Sequence, residues 1–156
     1  MAAKVDSAVT IARPVEEVFA YVLDLESNGP AWAPDLESVE KTSEGPVGAG
    51  TTFRQVQNLM GKRRDTSLRF TGVETNRKIE AEADLGPIAP RMKLMFEPVD
   101  GKSRVTARGD ANPKGVFKLL SPLIARQGQR MWDARLAGLR KALESTDARG
   151  SDDLPS

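Results

Sequence analysis

The groups able to do chemistry in this chain are fewer than its length suggests, because its 156 residues include no His and no Cys. That removes imidazole bases, thiolate nucleophiles, Ser-His-Asp arrangements, disulfides and Cys-based zinc sites. Carboxylates, cations, amides and a single tyrosine, Tyr21, remain. Glu80 and Glu82 are two residues apart, as are Arg63 and Asp65, so at strand spacing each pair shares a face. The alternation around them makes that face the charged, outer one, which argues against a carboxylate pair for glycoside hydrolysis. No metal constellation is found, since only carboxylate-rich sites are open to such a chain and Asp152-Asp153 falls in a polar tail. Gly45, Gly48 and Gly50 are followed by a strand and by no Lys-Ser/Thr, unlike a phosphate-binding loop. No cofactor is expected.

The amides carry a more useful signal. Gln55 and Gln57 fall on the same face as Phe53 and Leu59, where an unpaired amide costs about 1–3 kcal/mol in a dry core. A wet cavity relieves that cost, so both are candidates to orient a ligand. Gln127 and Arg135 lie near the apolar stripe of the last helix and reach towards the same space. Plainer roles are also open: Gln57 at an open strand end, and Arg135 snorkelling to solvent.

The elements that must position these groups follow from periodicity. Val5, Ser7, Val9 and Ile11 alternate with polar residues as a half-buried first strand. Pro14 stops it. Val15, Val18, Phe19, Val22 and Leu23 then recur at helical spacing, with Pro14 suited to the first helical position and Glu16 and Glu17 to the positive end of the helix dipole. Asn28-Gly29-Pro30 predicts a broken second helix and turn ending near Trp32 and Pro34. From Asp35 to Asn112 the pattern is a meander of antiparallel strands, punctuated by turns at Gly45 to Gly50, Gly61, Thr75-Asn76, Gly86-Pro87 and Asp100-Gly101. Asn112-Pro113 and Ser121-Pro122 predict a short helix over 113–120 and a long one over 122–145. The remaining 146–156 read as a polar, disordered tail.

Charge and hydropathy exclude other classes. The net charge of +1 divides unevenly: residues 1–50 carry three basic groups against nine acidic ones, so the remainder carries +7. A nucleic-acid surface would interleave that excess with aromatics, but aromatics are 5% of the chain, and Lys62-Arg63-Arg64 reads as a solvated hairpin end. The longest apolar run, Val18 to Leu23, is far short of the roughly 20 residues of a membrane span. The expectation is a soluble cytoplasmic protein without nucleic-acid partner or integral membrane segment. A homodimer is compatible with the sequence.

Six stretches in order then carry a family resemblance. They are Ala12-Arg13-Pro14-Val15-Glu16-Glu17-Val18-Phe19; Asp24 with Trp32-Ala33-Pro34; Gly45-Pro46-Val47-Gly48-Ala49-Gly50-Thr51-Thr52-Phe53-Arg54; Phe96-Glu97-Pro98-Val99-Asp100-Gly101; Lys118-Leu119-Leu120-Ser121-Pro122-Leu123; and Leu139-Arg140-Lys141-Ala142-Leu143-Glu144. With them the chain resembles the START-like helix-grip (SRPBCC) superfamily, in particular its polyketide cyclase/dehydrase and lipid-transport group. Glu74-Thr75-Asn76 departs from a common Glu-Pro, which touches a turn only.

The resemblance implies an α+β helix-grip domain over 1–145. A curved antiparallel sheet of six to seven strands wraps around the long C-terminal helix, with two short helices after the first strand. It implies an internal cavity for a hydrophobic, lipid- or polyketide-like molecule, a few hundred Å3 in size, between the sheet and residues 117–139. Trp32 falls where such folds have the cavity entrance. The expected sheet lining is Phe53, Gln55, Gln57, Leu68 and Phe70, then Ala81, Met92, Leu94, Phe96 and Ala107. The helical lining is Phe117, Leu120, Ile124, Gln127, Met131 and Arg135. Two functions fit: a carrier doing no covalent chemistry, or a cyclase, aromatase or dehydratase in which Arg135, Gln57 or Tyr21 polarises a carbonyl or moves a proton. No Asp, Glu or Lys falls on the covered sheet face in this register, which favours the carrier.

Overall fold

Two-residue alternation becomes seven strands and three-and-four spacing becomes three helices in the computed structural model, which describes residues 3–59 and 61–153. The order is β1 (Lys4–Ile11), α1 (Val15–Leu23), α2 (Leu25–Trp32), β2 (Leu36–Lys41), β3 (Thr52–Leu59), β4 (Lys62–Glu74), β5 (Lys78–Asp84), β6 (Arg91–Val99), β7 (Lys102–Asp110), a 3-10 helix (Gly115–Leu120) and α3 (Ser121–Asp153). The strands form one antiparallel sheet in the order β1-β7-β6-β5-β4-β3-β2. Register shifts between Leu36 and Ser38 and between Phe70 and Gly72 mark irregularities of the kind that bends a strand, and the sheet curves around α3.

Local chemistry explains most boundaries. Pro14 sits at the N-cap of α1, one place before the expected first helical position, with extended φ and ψ of −66° and 152°. The expected break in the second helix does not occur: α2 runs through Pro30, opened by the Asp24 carboxylate accepting from the Ser27 N–H at 3.4 Å. Pro30 lies in the last turn, where its missing N–H forgoes the hydrogen bond to the Glu26 carbonyl four residues back. A side chain at Gly29 would meet Leu25 and Val39, so glycine there lets α2 close onto β2. The short helix expected at 113–120 is the 3-10 turn. Of the expected tail at 146–156, the backbone to Asp153 continues α3, and 154–156 lie outside the described residues.

The core fills the concave side of the sheet. Phe19 of α1 meets Phe96 edge-on at 5.2 Å, and Phe53 packs on Phe70 at 4.9 Å. Trp132, Leu136, Leu139 and Leu143 of α3 are buried in the same cluster. α3 runs beside the edge strand β1 and pairs with the Asp6 backbone at that edge. The Gln129 amide donates to the Asp6 carbonyl at 2.8 Å and accepts from the Asp6 N–H at 3.0 Å, while Ser7 Oγ donates to Asp133 at 2.5 Å. Covering an edge in this way removes a template for unwanted strand pairing.

Candidate functional site

Between α3, the α1–α2 pair and the centre of the sheet the packing leaves a cavity of about 100 Å3. Its helical walls are Val22, Leu25, Trp32, Met131, Trp132 and Arg135. Its sheet walls include Gln55, Gln57, Leu68, Phe70, Ile79, Ala81, Ala83, Met92 and Leu94, with Leu85 and Pro90 at the β5–β6 end. Small side chains on β5 make the space, and Gly109 adds to it. A Cβ at Gly109 would overlap the Met92 sulfur and the Arg91 carbonyl, so glycine there lets the Met92 thioether lie in the wall. The volume is smaller than the few hundred Å3 expected. It suits a single small ring unless flexible walls such as Met92 and Met131 move.

A larger hollow of about 550 Å3 lies on the other face of the sheet among Asp6, Glu74, Arg77, Lys78, Arg104 and Arg108. The ion pairs Arg108–Asp6 at 3.4 Å and Lys78–Glu74 at 2.8 Å lie within it. It is solvated charged surface, unsuited to an apolar guest.

Ten of the residues expected in the lining meet here: Trp32, Gln55, Gln57, Leu68, Phe70, Ala81, Met92, Leu94, Met131 and Arg135. Seven do not. Phe53, Phe96 and Ala107 are buried, but Phe53 and Phe96 are taken up by Phe70 and Phe19 in the core. Phe117, Leu120 and Gln127 are exposed and Ile124 is half-buried. The reason is the course of α3: its first turns lie outside the grip, and the stretch from Met131 to Arg135 is what faces the cavity, not all of 117–139.

At one end of the cavity stands a polar network missing from the sequence reading. The Asp35 carboxylate, just ahead of β2, accepts from Arg135 Nε at 2.8 Å and from Arg135 Nη2 at 2.5 Å. Gln57 Nε2 donates to the same carboxylate at 2.9 Å, and Thr66 Oγ1 donates to Gln57 Oε1 at 2.5 Å. Gln55 Oε1 lies 3.4 Å from the Thr66 hydroxyl. The guanidinium also lies 4.8 Å from the centre of the Trp132 ring, within range of a cation–π contact. Arg135 therefore does not snorkel, and Gln57 is not at an open strand end. The absence of acids from the covered sheet face holds, yet a loop carboxylate binds two side chains of the lining, Gln57 and Arg135.

The network sets the charge state of the site. Burial raises the Asp35 pKa, but the hydrogen bonds and charge of Arg135 together with the Gln57 amide outweigh it, so the carboxyl titrates below its ordinary value. A carboxylate so held is a poor proton acceptor at neutral pH. The stability linked to it is fully present above the unfolded-state value of about 3.9 and is lost as pH falls through the lower folded value. The stability gap between the wild type and Asp35→Asn, measured by urea titration, is therefore expected to narrow only below about pH 4. A gap unchanged from pH 7 to pH 3 would show that Asp35 is not selectively stabilised as the anion.

The opposite polar feature is an unmet donor. Trp32 is buried, lines the cavity, and its indole Nε1–H has no hydrogen-bond partner among the described residues. Its position is fixed by close packing, since a Cβ at Gly138 of α3 would overlap the Trp32 carbonyl oxygen. No group of three or more Asp or Glu able to hold a metal ion is found among the described residues, nor a helix long and apolar enough to cross a membrane.

The family model described as polyketide cyclase/dehydrase and lipid transport matches residues 2–144. Nothing among curated protein sequences matches the chain. Among solved structures it is similar to a START superfamily protein from Mycobacterium smegmatis, at 14% identity and a TM-score of 0.78, covering 92% of this chain and 98% of that one. It is similar to the Zhui aromatase/cyclase from Streptomyces sp. R1128 at 16% identity and TM-score 0.77, covering 94% and 97%. A protein from Thermus thermophilus shares 23% identity at TM-score 0.74, covering 92% and 98%. At these identities the likeness is one of fold.

Proposed function

The chain belongs to the polyketide cyclase/dehydrase and lipid-transport family, and from that premise we propose that its cavity binds a neutral, mostly apolar small molecule bearing a hydrogen-bond acceptor oxygen. The observation that carries this is the Trp32 indole N–H, buried and without a partner among the described residues, on a residue that lines an apolar cavity. A buried donor without a partner costs about 1–3 kcal/mol, and a ligand carbonyl or phenolic oxygen would relieve that cost. Neutrality follows from the other end of the site, where Asp35 already compensates Arg135. A ligand carboxylate would meet no uncompensated cation.

The second reading is a cyclase or aromatase in the same cavity, favoured by the guanidinium of Arg135 in its wall. One edge of that group, Nε and Nη2, is engaged with Asp35, and the carboxylate is ionised and occupied. Among the described residues Arg135 is the one titratable residue in the lining, and the carrier reading is preferred.

The test is titration with acetophenone and its hydrocarbon analogue α-methylstyrene, followed through the indole N–H resonances, with Trp32→Phe assigning the signal. The ketone is expected to shift the Trp32 N–H downfield, and Trp32→Phe to weaken ketone binding about three- to tenfold while leaving the hydrocarbon nearly unaffected. Equal weakening of both ligands, or no indole shift, would remove the basis for the proposal. Recovery of an added polyketone chemically altered would favour the enzyme over the carrier.

A further inference from the structure

Six large hydrophobic residues are exposed among the described residues, and five of them fall within Val116 to Leu123: Val116, Phe117, Leu119, Leu120 and Leu123. Val116 is 76% and Leu119 85% exposed, so these side chains pack against almost nothing. The sixth, Val99, lies in the β6–β7 hairpin. Scattered exposed apolar residues are ordinary, but a contiguous patch marks a surface that meets something.

Charge indicates what it meets. Lys114, Lys118, Arg126 and Arg130 are exposed around the patch, and residues 111–132 contain no acid. None of the four forms an ion pair among the described residues. The bounding acids are engaged elsewhere: Asp110 accepts from the Asn112 N–H at 2.7 Å, Asp133 accepts from Ser7 and Gln129, and Asp84 accepts from the Gly86 N–H at 2.9 Å. The exposed stretch therefore combines five apolar side chains with four cations among and beside them and no acid.

We propose that the 3-10 helix Gly115–Leu120 and the first turn of α3 dock on an anionic lipid surface, the exposed apolar side chains entering the acyl boundary and the four cations pairing with lipid headgroups. Interfacial segments bind through this combination of buried apolar area and attraction to anionic lipid. A second copy of the chain is the weaker occupant, because a self-complementary contact would set the four cations against their own copies. The placement also has a consequence for the cavity. Lys114 N–H donates to the Pro87 carbonyl at 3.0 Å and Ile88 bridges to Pro113, which ties the patch to the β5–β6 loop whose Leu85 and Pro90 line the cavity. Docking would bring that end of the cavity to the bilayer. The inference rests on the exposed residues alone and does not depend on which ligand the cavity takes.

Co-sedimentation of the full chain with vesicles of phosphatidylcholine mixed with phosphatidylserine, against pure phosphatidylcholine, is the test. The wild type is expected to sediment with the mixed vesicles and much less with the neutral ones. Leu119→Gln is expected to weaken the binding about tenfold or more, and each of Lys114→Ala and Lys118→Ala roughly fivefold. These side chains are exposed, so an unchanged thermal midpoint separates lost docking from lost folding. Failure to bind mixed vesicles overturns the proposal. Binding that depends on the lysines but not on Leu119 also overturns it, because that is charge adsorption without insertion. A dimer in light scattering that Leu119→Gln dissolves would assign the patch to a second copy instead.

Discussion

An Asp35→Ala variant is expected to lose about 3–5 kcal/mol of folding stability, far more than an exposed ion pair contributes. The size follows from what is left behind. Arg135 is 9% exposed, and without Asp35 its guanidinium stays in the protein with the Trp132 ring as its compensation among the described residues. The Gln57 amide loses its acceptor at the same time. The pair as a whole is worth much less than this loss, because taking both charges from water costs nearly as much as their attraction returns. Asp35→Leu combined with Arg135→Met is therefore expected to be more stable than Asp35→Leu alone, with a coupling energy of about 1–3 kcal/mol in the cycle of Asp35→Leu and Arg135→Met. Urea unfolding of the wild type, both single variants and the double variant measures it. Strict additivity would mean that the two groups do not depend on each other.

Asp35 also shows where reading from sequence stops. The strands were legible because their inner and outer residues alternate. Phe53, Gln55 and Gln57 face inwards and Arg54 and Asn58 outwards. The stripe Trp132, Leu136, Leu139 and Leu143 was legible for the same kind of reason. Asp35 lies in a connection, where no period assigns a face, and it reaches Arg135 across 100 positions of sequence. Its signal was indirect: a cation on an apolar stripe and two amides on a covered face require partners.

The opposite error arose at 117–124. Phe117, Leu120 and Ile124 look like core by type and spacing, and most such residues are core. Nothing local says that α3 begins before it enters the grip. The positive φ angles of Asn112 at 50° and Gly115 at 57° turn the chain out of the sheet, and this turn carries the apolar residues to the surface. The small volume of the cavity was equally hidden, since it depends on how Met92 settles over Gly109 rather than on residue class.

Gly138→Ala is the second large effect, and it runs against helix propensity. Within a helix Ala is favoured over Gly by about 1 kcal/mol, yet here the variant is expected to be less stable by about 2–3 kcal/mol, the usual scale of forcing extra volume into a packed site. The added methyl would fall on the Trp32 carbonyl oxygen, a backbone atom at the end of α2 that cannot swing aside. Relief requires α2 and α3 to separate, and that movement carries Trp32 away from the cavity and the neighbouring Asp35 away from Arg135. The expected fall in thermal midpoint is about 4–12 °C, with the Trp32 indole resonance displaced. Gly128→Ala is the matched control in the same helix, because a Cβ there meets the Val5 Cγ2 methyl at 3.0 Å, a side-chain atom that can yield. Its stability is expected to stay within about 1 kcal/mol of the wild type, as the propensity gain offsets the crowding. If the two variants melt together, α2 is not seated on Gly138, and the fixed position of the Trp32 donor loses its support.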